Sequence, residues 1–359
     1  MNRLPKLVIG DLVAELPIIQ GGMGVGVSGV GLVSAVANAG GIGVLSSAGM
    51  GIELPGYRTD PISVAAEAVK QEIRKVRELT DGVIGINIMV ATSNFAEMVI
   101  AAVEEKVDLI FAGAGLPLDM PRYLIKGAKT KLVPIVSSAR AAVSILKRWV
   151  SKYNYFPDAF VVEGPLAGGH LGFKKEQLDD PEYTLQTLIP QVVEAIRPLA
   201  QPLGREIPVI AAGGIYTGAD IADFLELGAA GVQMGTRFVT TEECDVAMEF
   251  KESYLNCREE DIMVIQSPVG LPGRAIRNSF LEAIEDGKKH PFRCPYRCIR
   301  TCQVEKAPYC IALALLNAKK GRMKHGFAFA GQNAYRADKI ITVHELVETI
   351  QQEYDASLN

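Results

Sequence analysis

The chain has 359 residues, 48% hydrophobic and 22% charged, with 35 glycines and a formal net charge of -4. It exceeds a minimal barrel of about 250 residues by about 100, and its composition excludes a disordered or fibrous chain. The slight negative charge gives no electrostatic case for nucleic acid or an anionic membrane, and no apolar run reaches the ~18 residues of a membrane span, so the expected location is cytoplasmic.

From the N-terminus, Leu16 to Gln20 reads as a first strand and Ser28 to Ala39 as an amphipathic helix with Ser28 as its cap. Gly41 to Ser46 is a second strand, a longer connection runs from Ser47 to Pro61, and a helix follows from Ile62 to Leu79. Val83 to Val90 is an apolar strand interrupted by one amide, Asn87. Such near-continuous apolar strands suit a parallel sheet covered on both faces. The alternation continues with a helix at Phe95 to Glu105, a strand at Asp108 to Ala112, a short helix at Met120 to Lys126 and a strand at Lys131 to Ser137. A helix at Ala139 to Lys152, a strand at Ala159 to Glu163 and a helix at Tyr183 to Leu199 come next. Two glycine-rich strands complete eight βα units, Val209-Ile-Ala-Ala-Gly-Gly-Ile215 and Gly231-Val-Gln-Met-Gly-Thr-Arg-Phe238. Eight units in series, with no GxGxxG turn near the start, predict an α/β fold of the closed (β/α)8 TIM barrel type.

After a helix at Cys244 to Leu255 the rhythm breaks. Residues 261–326 are expected to form a lid-like insertion after the eighth strand, over the barrel mouth, with 1–260 and 327–359 forming the barrel itself. Lids of this kind shape substrate access.

Catalytic groups of a barrel lie at the C-terminal ends of its strands. The strand ends at Gly213-Gly214 and Gly235-Thr236 stand one helix apart, where bare backbone N–H groups suit a phosphate. A phosphorylated ligand is therefore expected there. Of four histidines, His170 follows the sixth strand behind Gly168-Gly169 and is the general acid–base candidate, whereas His290, His325 and His344 read as surface positions. Asn87 must bond either to protein or to a ligand edge, since an unpaired amide costs a few kcal/mol, on the order of 1–3. Gln20-Gly21-Gly22-Met23-Gly24 ends the first strand with backbone bare enough for a ring system to lie against it.

Leu16 to Met23, Gly85 to Ile88, Glu163 to His170, Ala211 to Ile215 and Gly231 to Phe238 together resemble the ordered motifs of the nitronate monooxygenase family. The same family includes flavin-dependent enoyl-(acyl-carrier-protein) reductases and quinone reductases. The resemblance implies noncovalent FMN. It places Gly21, Gly22, Met23 and Asn87 against the isoalloxazine, Glu163, Gly168 and Gly169 along the flavin, and Gly213, Gly214, Gln233, Met234, Gly235 and Thr236 around the ribityl phosphate. His170 matches the family's active-site histidine. Pro165-Leu166 stands where many members carry an acidic or amide residue, implying a more apolar pocket wall.

Three functional readings follow from the resemblance. One is oxidation of alkyl nitronates with oxygen. Another is NAD(P)H-dependent reduction of an enoyl thioester or quinone, and the third is a flavin-binding module without turnover. The partners implied are a small-molecule substrate or acyl thioester and an acyl carrier protein; a homo-oligomer is compatible with the sequence but not specified by it.

The insertion holds Cys294, Cys298, Cys302 and Cys310. Their spacing would set the first three on one helical face, while Pro295 and Pro308 favour turns, and either geometry could converge thiolates on an iron–sulfur cluster or zinc. Packed reduced thiols are the alternative. Arg293, Arg297, Arg300 and Lys306 add a local basic patch that could meet an acidic carrier or a nucleotide phosphate.

Overall fold

Two short strands, β1 (Leu7–Ile9) and β2 (Leu12–Ala14), pair as an antiparallel hairpin at the start of the computed structural model. The structure describes residues 4–290, 294 and 296–358, so Arg293 and Pro295 lie outside the described residues. The hairpin turns at Gly10-Asp11, where Gly10 takes φ 62°. Its Leu7, Ile9 and Ala14 pack among Ile19, Val44, Phe111, Val133 and Val161 from the barrel strands. One end of the barrel is thereby plugged with apolar side chains.

The barrel strands are β3 (Ile18–Gln20), β4 (Ile42–Ser46), β5 (Ile84–Met89), β6 (Leu109–Gly113), β7 (Lys131–Val136) and β8 (Phe160–Glu163). After these, a two-residue strand β9 (Gly169–His170) leaves the barrel, which is completed by β10 (Val209–Ala212) and β11 (Gly231–Met234). All eight barrel pairings are parallel, with β11 closing onto β3 at Val232↔Ile18 and Met234↔Gln20. This is the TIM barrel expected from the eight βα units.

Around it lie α1 (Val30–Asn38), α2 (Pro61–Arg77), α3 (Phe95–Glu104), α4 (Ala139–Tyr153), α5 (Leu185–Ala200) and α6 (Gly218–Glu226). Asp60 caps α2, accepting from Ser63 N at 3.1 Å, with Pro61 in the first turn, where its missing N–H costs no bond. Three expectations need correction. Ser28 does not cap α1; Gly29 holds that position, and Asp245 accepts from Leu32 N at 3.2 Å from across the fold. Because 241–247 forms turns that deliver Asp245 to this role, the helix expected from Cys244 starts only at Met248. The helix expected at Met120 to Lys126 is a single 3-10 turn, Met120–Tyr123, after which Leu124 is extended and Gly127 takes φ 83°.

Beyond β11 come α7 (Thr236–Val239), α8 (Met248–Leu255), β12 (Ile262–Gln266), β13 (Pro272–Ile276), α9 (Ser279–Glu285), α10 (Ile311–Lys319) and the closing α11 (Val343–Ser357). Within residues 261–326, Met263, Ile265, Phe280, Tyr309 and Ile311 pack with Phe327 from the following segment in a small separate core. Strand β13 pairs antiparallel with both β12 and β9, Gly273 opposite His170. The insertion is thus stitched to the loop after β8. At the other flank, α11 docks through Glu353, which accepts from Arg237 at 2.8 Å and from Gly218 N at 2.9 Å.

Candidate active site

Opposite the hairpin plug, the C-terminal strand ends open into a cavity of about 350 Å³. Its volume falls in the range of cofactor and substrate pockets. The flavin-site residues named from the sequence all line it, together with His170: Gly21, Gly22 and Met23 after β3, Asn87 on β5, Glu163, Gly168 and Gly169 after β8, Gly213 and Gly214 after β10, and Gln233, Met234, Gly235 and Thr236 at the end of β11. Residues from the insertion complete the wall, among them Cys298, Ile299 and Ile311.

Local chemistry explains the shape of each wall. Ser28, rather than capping a helix, accepts from Met23 N at 2.8 Å and from Gln20 Nε2 at 2.7 Å, so it fixes the Gly21–Met23 turn from behind. At Gly22 a Cβ would come within 2.6 Å of Asn87 Cβ, which shows how closely that turn packs on β5. Gly213 and Gly214 take φ 101° and 81°, values that side chains rarely adopt, and curl the backbone after β10 into a concave turn. Among the described residues the backbone N–H groups of Gly213, Gly214 and Gly235 have no backbone acceptor. A Cβ on Gly169 would meet nothing within 4 Å, and one on Gly235 only Met23, at 3.6 Å.

Three polar side chains complete the cradle. Asn87, Glu163 and Gln233 line the cavity, and among the described residues none makes a side-chain hydrogen bond to protein. Buried polar groups are normally paired. Unpaired N–H groups at two adjacent strand ends and unpaired amides on the wall fit a ligand with a phosphate and a flat hydrogen-bonding ring, as FMN has.

His170 sits in β9, where pairing with β13 sets its backbone, and its Nε2 lies 2.7 Å from Ser267 Oγ. Its ring meets Phe329 edge-on at 5.0 Å. Burial lowers its pKa to about 4, so the imidazole is neutral at pH 7. Burial acts oppositely on Glu163, whose carboxyl is pushed up to about 7. Burial disfavours the charged form of both groups, and they line the same cavity.

Ser267 and Arg274 were not anticipated. Arg274 is buried on β13 and donates through Nη1 to Ala167 O at 2.9 Å and also to Pro165 O, clamping the loop that carries Gly168 and His170. Only the Ser267-Pro-Val-Gly-Leu-Pro-Gly273 turn marked this stretch, and a turn does not reveal what its neighbours face. Leu166 stands outside the cavity wall and is 41% exposed, so it does not make the pocket more apolar. His344 is exposed beside Glu348, and His325 is exposed, as expected for surface positions. His290 differs: it is half-buried and stacks on Phe280 at 5.3 Å.

In the insertion, Cys294, Cys298, Cys302 and Cys310 are free thiols bordering one further cavity. Residues 296–302 are not helical, so the helical-face geometry does not apply; the convergence comes from turns. Among the described residues no group of three or more His, Cys, Asp or Glu side chains is placed to hold a metal ion. Burial and the neighbouring Cys310, Cys294 and Cys302 push the Cys298 thiol up to about 12. The basic patch is partly spent inside the protein, because Arg300 donates to Thr92 O at 3.0 Å and Val90 O at 2.9 Å. Among the described residues no helix is long and apolar enough to cross a membrane.

Comparison with known proteins agrees with this geometry. A (3aS,4S,5R,7aS)-5-hydroxy-7a-methyl-1-oxo-octahydro-1H-indene-4-carboxyl-CoA dehydrogenase from Mycobacterium tuberculosis is 34% identical over 275 residues, 77% of this chain and 67% of that protein. The chain thus spans about two thirds of that relative's length. A probable nitronate monooxygenase from Staphylococcus aureus is 29% identical over 317 residues, 78% of this chain and 79% of that protein. The structure of FabK from Thermotoga maritima superposes with a TM-score of 0.73 at 29% identity, covering 96% of this chain and 94% of that one. The family model described as nitronate monooxygenase matches residues 7–104 and 92–353, nearly the whole barrel and its insertion. The chain belongs to the nitronate monooxygenase family and is a flavin-dependent oxidoreductase.

Proposed function

We propose that the protein binds FMN noncovalently at the barrel mouth and acts on a neutral acyl or enoyl thioester. Gly213, Gly214, Gln233, Gly235 and Thr236 would hold the phosphate, and Asn87 would meet the ring edge. FMN would supply the hydride acceptor or donor. His170, uncharged and anchored by Ser267, presents an imidazole that can bond a carbonyl or move a proton. Glu163 adds a carboxyl that is half-protonated near neutral pH.

One observation carries the choice of substrate class: among the described residues, those lining the cavity include no Lys or Arg. With His170 also neutral, an anionic nitronate meets no countercharge, whereas a neutral chain finds Met89, Ile135, Ile299, Leu315 and Phe329. The identity to a carboxyl-CoA dehydrogenase points the same way. Nitronate oxidation is the second reading, favoured by the family model and the Staphylococcus aureus relative.

Anaerobic stopped-flow separates the two. NADH or NADPH is expected to bleach the flavin and crotonyl-CoA to restore it, with propionate 3-nitronate reacting at least about tenfold more slowly, a difference of about 1.4 kcal/mol in barrier. Rapid bleaching by the nitronate with no response to the thioester would reverse the assignment.

A further inference from the structure

The four thiols of the insertion border a cavity that the flavin chemistry does not use. Cys294, Cys298, Cys302 and Cys310 reach it from a turn-rich segment and from the N-terminal cap of α10, where Cys310 makes no side-chain capping bond. Arg297 takes φ 44°, a conformation uncommon for a residue with a side chain, and its N–H thereby reaches Cys294 Sγ at 3.3 Å. Strained backbone of this kind persists where surroundings demand it and clusters at ligand sites, and N–H···S bonds are among the groups that tune thiolate-held clusters.

We infer that this cavity holds an iron–sulfur cluster ligated by the four cysteines. A single tetrahedral zinc needs sulfurs drawn within about 2.3 Å of one ion, and among the described residues no three or more His, Cys, Asp or Glu are drawn together for a metal ion. A polynuclear cluster brings its own bridging sulfides and spans thiolates that stand further apart. Its charge is matched too: four thiolates leave the cluster anionic, and Arg297 and Arg300 border the same cavity, as does the N-terminal end of α10. The ligand loop is held independently of metal. Ser93 N donates to Cys298 O at 3.1 Å, Ser93 Oγ donates to Arg297 O at 2.7 Å, and Arg300 bonds the end of β5. Cys298, Ile299 and Ile311 line both this cavity and the candidate flavin cavity, so the two groups would share a wall.

Anaerobically purified protein, reconstituted with ferrous iron and sulfide, is expected to contain iron and acid-labile sulfide in equal amounts, roughly two or four of each per chain. Dithionite should produce a cluster electron paramagnetic resonance signal. Cys302→Ser and Cys294→Ser should each lose at least half of the iron and that signal while keeping a cooperative thermal transition. These assays do not depend on flavin, so they stand or fall apart from the FMN reading, and the wild-type analysis decides the matter if a variant fails to fold. Zinc without iron, no iron or sulfide after reconstitution, or undiminished iron in both folded variants would overturn the cluster.

Discussion

Gly235→Asp is expected to give folded protein that retains no flavin. Gly235 has φ -123°, which any residue adopts, and the nearest atoms to an added Cβ are Met23 Sδ at 3.6 Å and Cγ at 3.9 Å, so the substitution strains neither backbone nor packing. The side chain would enter the cavity at the end of β11, beside Met23. A carboxylate about 4 Å from one phosphate charge is opposed by roughly 4 kcal/mol at an effective dielectric constant of 20, on the order of a thousandfold in affinity. Absorbance of the purified variant measures this, with circular dichroism and the melting temperature reporting the fold. Stoichiometric flavin in a folded variant would put the phosphate elsewhere on the barrel.

The second large effect belongs to His170→Ala, which should keep its flavin yet lose about tenfold or more in turnover, within what a positioned acid–base group contributes. Flavin retention is expected because the ring contacts Phe329 and the insertion's Ser267, not the glycine turns that would hold phosphate. Ser267→Ala should cost less, since it loosens the imidazole without removing it. The pH profile separates His170 from Glu163. With His170 at about 4 and Glu163 at about 7, a wild-type inflection near pH 7 is assigned to the carboxyl. That inflection should survive in His170→Ala and vanish in Glu163→Gln. Wild-type turnover by His170→Ala would move the proton chemistry to another group.

The barrel and the glycine turns that line the cavity were legible because each rests on local rules. Parallel strands buried on both faces read as apolar runs, and backbone that packs closely or takes a positive φ reads as glycine, as at Gly22 and Gly213. The β1–β2 hairpin was also within reach, since Gly10-Asp11 separates two short apolar runs, although three-residue strands carry little periodicity. What stayed hidden depends on distant partners. Ser28 looks like a cap from its position before a helix, but Gln20 and Met23 claim its hydroxyl. Asp245 caps a helix more than two hundred residues away in sequence. Arg274 and Ser267 became site residues only once β13 paired with β9, a register that no local pattern in either segment announces.

The central claim is that the mouth of this barrel binds FMN without a covalent link. It is tested most directly by denaturing the purified protein with acid and identifying the released chromophore by chromatography and mass. About one FMN per chain in the supernatant, with colourless precipitate, is the predicted result. FAD, a flavin that stays with the denatured chain, or a colourless protein that reconstitution with FMN does not colour would contradict it.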